Sequence, residues 1–388
     1  MADRGPVADR GPVADSLDNL RGRLPLMIDA LGALVSAESP SGSAGSCPAV
    51  IADLFSGVLG SPPELLEIDG ITHLRWSGGG AGRVFLVGHY DTVWPAGTLG
   101  RWPFSVDGDI ATGPGAFDMK AGIVQLVEGL ASLDHLEGVR VLLTGDEELG
   151  SQTSRELIQE MAASAHAALV LEPSADGALK VGRKGTGMYT LRVTGKAAHA
   201  GLEPEKGANA LLGLAAVVTA AGALGDPSRG TTVTPTMATA GSATNVVPAS
   251  ASAELDVRVL DPKEAGRVDA DVRALSSPVP GTTLTVEGGP NRPPLPTSAS
   301  MALFHRAVEC AAALRMGDLQ GVTVGGGSDG NFTAAVGTPT LDGLGAVGGG
   351  AHAEGEYVVV SAMPARAALL AALVQSLQTD PVSALSSR

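Results

Sequence analysis

His89, Asp118, Glu147, Glu148, Glu172 and His352 set two imidazoles among four carboxylates. Zn²⁺ takes such nitrogen and oxygen ligands, usually leaving a position open for water. One aspartate can bridge two ions, and two metals about 3.5–4 Å apart are a common hydrolytic arrangement. The neighbours Glu147 and Glu148 allow a division of labour, one carboxylate on metal and the other handling a proton. Singly, each residue reads more simply as a polar loop position. Their joint placement is what points to metal binding.

That placement comes from three short apolar runs. Val84, Phe85, Leu86 and Val87 read as a strand buried on both faces, with Gly88 and His89 at its end and Asp91 two residues on. Val141 to Leu143 repeat the design and deliver Asp146, Glu147 and Glu148, and residues 167–173 repeat it again and deliver Glu172. Ligand residues in open α/β sheets gather just beyond the carboxyl ends of strands. Asp118 leads into a helix with apolar residues at 123, 124, 127, 130 and 131 on one face. Thr153 and Glu156 stand at capping-box spacing before a helix to about residue 163.

At about residue 185 the periodicity changes. Tyr189, Leu191 and Val193 alternate with polar neighbours, as do Ala253, Leu255, Val257 and Val259. Helices are expected at about 206–224 and from Asp261 to about 276, with strands near 231–240 and 252–260 and a last one close to 285. The order β-α-β-β-α-β is ferredoxin-like, with one polar sheet face. The expected division is a tail over 1–15 carrying a tandem ADRGPV, one domain over 16–184 and 292–388, and an α+β insert over 185–291. Pro25 is expected to bend or start a first helix within 16–37, and strands are expected near 65 and 73. Further helices are expected over about 298–316 and 361–378. The fold class is α/β: a mixed, mostly parallel sheet flanked by helices, plus the insert.

Composition narrows the partners. A net charge of −15 over 388 residues argues against nucleic acid, which needs a basic footprint. Cys47 and Cys310 make no disulfide framework and no C-x-x-C pair, so a reducing, cytoplasmic setting is the default. No apolar run of about 18 residues is apparent, and no membrane span is expected. The glycines near 325 and 348 lack the G-K-[ST] of a phosphate loop.

GHYDTV, GPGAFDMKAG, TGDEELGS, VLEP, GKAAHAG, TNVVPA and GGAHAEGEYV follow one another between about 84 and 365. In that order they resemble the di-zinc family of glutamate carboxypeptidases, aminoacylases and succinyl-diaminopimelate desuccinylases. The resemblance implies a zinc-exopeptidase-like catalytic domain with an inserted lid and dimerisation domain. It implies two Zn²⁺, with Co²⁺ or Mn²⁺ as possible replacements. Asp118 would bridge them, His89 and Glu172 would bind one, and Glu148 and His352 the other. Glu147 would be the general base, and Asp91 would orient His89. A cis peptide bond is implied at Asp118–Met119. His199 would reach a partner subunit's active site in a homodimer, with Asn245 as its companion polar group.

Substrate choice follows the same resemblance. GPGAFD is closer to the carboxypeptidase branch, since deacylases more often carry a basic residue at Pro114. Arg292 aligns with an arginine that those carboxypeptidases place on the substrate's terminal carboxylate, and Arg258 is a second candidate. A guanidinium fork binds a carboxylate bidentately. The expected function is a zinc-dependent hydrolase that releases a C-terminal amino acid, glutamate by preference, from peptidyl or N-acyl substrates. The alternative within the family is a deacylase of acetyl- or succinyl-amino acids. From another class, a silent metal-binding protein is opposed by the presence of Glu147.

Overall fold

The computed structural model describes residues 12–43 and 45–382. The expected tail falls largely outside them, and a helix spans Pro12–Gly22. The chain divides into two compact units. Of the described residues, one takes those up to Gly182, Thr297–Thr323 and those from Ser328; the other takes Arg183–Pro296 and Val324–Gly327.

The first unit is built on a six-stranded mixed sheet. Its order is Glu64–Ile68, Ile71–Ser77, Val139–Thr144, Val84–His89, Ala167–Val170 and Thr340–Leu341. The Val84–His89 strand runs parallel to both of its neighbours, and the two edge strands at the N-terminal side are antiparallel. All six residues of that central strand are buried. Val84 and Leu86 join the core beneath the Ala121–Ala131 and Met363–Thr379 helices, whereas Phe85 and Val87 pack with Ile158, Met161 and Phe332. Helices on both faces explain why the run has no polar alternation. Each such Val, Leu or Phe contributes about 1.5–3 kcal/mol of burial.

Three local differences have physical causes. The first helix is two, Pro12–Gly22 and Leu24–Ser36, with Pro25 at the start of the second, where a missing N–H costs nothing. The Cys47–Leu59 helix lies in a stretch whose Ser, Gly and Pro content concealed it. Residues 121–130 are buried all round, beyond the one apolar face expected, because other helices cover the far side. Val360–Thr379 is long and apolar enough to cross a membrane, and 67% of its most apolar stretch is buried in the protein.

The second unit has strands Gly185–Thr194, Thr232–Ala240, Ser250–Val259 and Thr283–Arg292 and helices Ala210–Gly222 and Pro262–Ala274. Taking its strands in chain order as one to four, the sheet reads two-three-one-four with every pairing antiparallel. Tyr189, Leu191, Val193, Leu255 and Val257 form a core with Leu214, Val217, Val268 and Val272 from the helices. The opposite face carries Thr190, Arg192, Glu254, Asp256 and Arg258. Asp261 caps the second helix by accepting from the Lys263 amide at 2.6 Å.

Candidate metal centre

His89 ends the central strand and is only 1% exposed. Its Nδ1–H donates to the Asp91 carbonyl at 3.0 Å. That bond fixes the tautomer and turns Nε2 outward as the free donor atom. Nε2 lies 3.3 Å from Asp118 Oδ1 and 3.5 Å from Glu172 Oε1.

Asp118 is delivered by an irregular turn, Ala116–Lys120, whose Asp118–Met119 peptide bond is cis. Gly115 leads into it at φ 71°, and a Cβ there would meet Thr92 Cγ2 at 2.3 Å. Only glycine serves at that position. The second Asp118 oxygen, Oδ2, lies 3.5 Å from His352 Nε2, so the two oxygens of one carboxylate face the two imidazoles.

His352 comes from the connection between Gly348–Gly349 and Tyr357–Val359, two strands of a small antiparallel sheet. Its backbone is left-handed at φ 61° and its ring is half exposed. Nε2 meets Glu148 Oε1 at 3.2 Å.

Glu147 and Glu148 follow the Val139–Thr144 strand on a tight turn. Their amides donate to Asp91 Oδ1 and Oδ2, both at 3.2 Å, and the Ser41 hydroxyl adds a third bond at 2.7 Å. The Asp91 carboxylate therefore anchors the glutamate turn, and its carbonyl is what orients His89. Glu172 lies beyond the Ala167–Val170 strand, 7% exposed, with Lys180 Nζ 3.9 Å from its Oε2. Arg366, buried in the core, donates to the Gly345 carbonyl at 3.0 Å, and the Gly345 amide donates to the Glu172 carbonyl at 2.9 Å. Arg366 carries no spacing signal, because it acts through a contact 21 residues away in sequence, and Lys180 shows none although it lies in the next strand after Glu172.

The electrostatics suit a cation. Burial opposes a charge on His89, but Asp118, Asp91 and Glu172 outweigh it and hold the imidazole well above its ordinary value. The hydrogen bond to Glu148 raises His352 to about 9. Burial pushes the Glu148 carboxyl up, against the pull of His352. Among the described residues, donor atoms of His89, Glu147 and Glu172 lie within 4.8 Å of one another, as do those of His89, Asp118 and Glu148. Two imidazoles and four carboxylates gathered this tightly fit a site for divalent metal.

In the second unit His199 and Asn245 lie on adjacent segments, the Ala200 amide donating to the Asn245 carbonyl at 2.9 Å. Both residues are exposed. His199 Nδ1 accepts from the Gly201 and Leu202 amides at 3.2 and 3.1 Å, which leaves the ring proton on Nε2. Arg258 forms a bidentate pair with Asp256, two bonds of 2.8 Å. Arg292 ends its strand and is 6% exposed.

The chain matches the model of peptidase family M20/M25/M40 over residues 85–376, which spans every segment that delivers a donor. It is 34% identical to carboxypeptidase G2 of Pseudomonas sp. (strain RS-16) over 375 residues, 91% of this chain and 89% of that protein. It is 31% identical to succinyl-diaminopimelate desuccinylase 1 of Alteromonas mediterranea over 332 residues, 78% of this chain and 84% of that one. Its fold is shared with a tripeptidase from Staphylococcus aureus, at a TM-score of 0.75 and 22% identity, covering 93% of this chain and 99% of that one. A clustered histidine–carboxylate site on this fold, within a family match that covers most of the sequence, identifies a hydrolytic enzyme: the chain belongs to peptidase family M20/M25/M40.

Proposed function

We propose that this enzyme hydrolyses an amide bond to release a C-terminal amino acid, glutamate by preference, from peptidyl or N-acyl substrates. The observation that carries the reading is Asp118, whose two oxygens face His89 and His352. In this reading His89, Asp118 and Glu172 would hold one Zn²⁺, and Asp118, Glu148 and His352 would hold a second. When bound, the metals supply Lewis acidity and a nucleophilic water. Glu147 would take a proton from the attacking water and return it to the leaving amine. His199, with its proton on Nε2, or Asn245 would donate to the oxyanion that forms at the carbonyl.

The similarity to carboxypeptidase G2 supports the carboxypeptidase reading, and the similarity to a succinyl-diaminopimelate desuccinylase supports N-deacylation as the second. A panel setting dipeptidyl and aroyl glutamates against acetyl- and succinyl-amino acids separates them. Arg292 is proposed to hold the terminal carboxylate, with Arg258 as the second candidate. A charge-assisted bidentate contact is worth about 1.5–3 kcal/mol, so Arg292→Ala is expected to lower kcat/KM roughly ten- to a hundredfold. The loss should largely vanish on a substrate whose carboxylate is amidated. Equal losses on both substrates make Arg292 structural and turn the test to Arg258.

The reading includes a homodimer through residues 185–291, with His199 completing the partner's site. Mixed dimers of His199→Ala and Glu147→Gln protomers, each inactive alone, are expected to recover part of the activity. Verified mixed dimers with no recovery rule out a shared site.

A further inference from the structure

His73 belongs to none of the sets above, yet it is fully buried directly behind the turn that carries Glu147 and Glu148. It lies on the Ile71–Ser77 strand, and its two ring nitrogens make opposite kinds of bond. The Gly145 amide donates to Nδ1 at 3.3 Å. Nε2 lies 3.0 Å from the Thr153 hydroxyl. That hydroxyl spends its own hydrogen on Asp146 Oδ2 at 2.8 Å, so it accepts from Nε2–H. The contacts thus select the neutral Nε2–H tautomer, because a proton on Nδ1 would point at an N–H.

The chain of bonds continues into the turn. Asp146 Oδ2 also accepts from the Thr153 amide at 2.7 Å, and Oδ1 accepts from the Ser154 hydroxyl at 2.6 Å. Gly145 leaves no slack, since a Cβ there would meet the Tyr90 hydroxyl at 2.5 Å and the Thr72 carbonyl at 2.7 Å. On its other side the turn hangs from Asp91 through the Glu147 and Glu148 amides. Two buried anchors therefore grip four consecutive residues, Gly145 and Asp146 from behind and Glu147 and Glu148 from the front.

We propose that His73 is a positioning residue for the Glu147–Glu148 turn, acting through Gly145 directly and through Thr153 on Asp146. The proposal rests on the reading of Glu147 as general base, whose proton transfer depends on placement to a fraction of an ångström. Burial lowers the affinity of the ring for a second proton, and the facing carboxylates, Asp146 and Asp91, oppose that effect without reversing it. The ring accordingly keeps one proton, with a bond for each nitrogen.

The test compares His73→Leu, His73→Asn and Thr153→Val for kcat, KM, bound metal and hydrogen exchange across residues 145–150. His73→Leu removes both bonds, and kcat is expected to fall roughly ten- to a hundredfold, the cost of a misplacement of up to about 1 Å. KM is expected to stay within about twofold, since a misplaced base loses transition-state and not ground-state interactions. Exchange at 145–150 should accelerate while the remaining sheet stays protected. Asparagine offers Oδ1 where Nδ1 stood, so His73→Asn should recover most of kcat. Thr153→Val should fall between. An asparagine variant no better than leucine overturns the proposal, as does a Thr153→Val enzyme with unchanged kcat and unchanged exchange, and the second outcome does not need the leucine variant to fold. A wild-type chain inactive on the whole substrate panel removes the proposed substrate reading alone, and the exchange comparison still decides the clamp.

Discussion

Glu147→Gln is expected to lower kcat by about 10²–10⁴-fold, the range for losing a general base, with bound metal unchanged. The amide carbonyl of glutamine keeps the shape of the side chain and cannot take a proton from water. The main chain of the turn should not move, because the bonds to Asp91 use the Glu147 and Glu148 amides and not their carboxylates. Distance alone does not divide the two glutamates, since Glu147 shares a 4.8 Å cluster with His89 and Glu172. What separates them is the 3.2 Å contact that commits Glu148 to His352. Turnover and metal content measured on one preparation check the assignment. Loss of a metal equivalent from Glu147→Gln would show that the roles of Glu147 and Glu148 are exchanged.

Asp118→Asn is expected to remove metal as well as activity. Asp118 is the carboxylate between the two histidines, at 3.3 Å from one and 3.5 Å from the other. Asparagine keeps the shape but brings no charge, and one of its two positions becomes an NH₂ that cannot bind a cation. Metal supplies several kcal/mol of stabilisation to such a reaction, and at ~1.4 kcal/mol per decade the loss in kcat is at least ~10²-fold. Elemental analysis after dialysis is the decisive measurement. An Asp118→Asn protein that retains full metal and measurable turnover would remove Asp118 from the bridge. Against Glu147→Gln the contrast is sharp: the two variants share a low rate and differ in whether metal stays.

Much of this was legible because strand ends are written locally. The run from Val84 to Val87 has no polar alternation, which is the mark of a strand covered on both faces, and His89 follows from it by adjacency. The same logic placed Glu147, Glu148 and Glu172. It could not show that one Asp118 oxygen meets each histidine, because His352 arrives from a strand pair far along the chain. Thr153 illustrates the opposite failure. Its spacing to Glu156 reads as a capping box, but the helix starts at Arg155 with Ser154 as N-cap and no side-chain cap bond. The Thr153 hydroxyl is drawn to Asp146 instead, because a buried carboxylate is the stronger acceptor. His73 has no sequence signal at all: its partners are set by which strand lies beside Val139–Thr144.

The donors are also scattered in the order of synthesis. His89, Asp118, Glu147, Glu148 and Glu172 are made before the second unit begins at Arg183, and His352 only after that unit is complete. A nascent chain can thus carry five of the six candidate donors while the position facing Asp118 Oδ2 is still missing. Contacts this far apart in sequence form late, after the loop-closure cost between them has been met. On the proposed assignment, the full ligand set waits until residue 352 has been made.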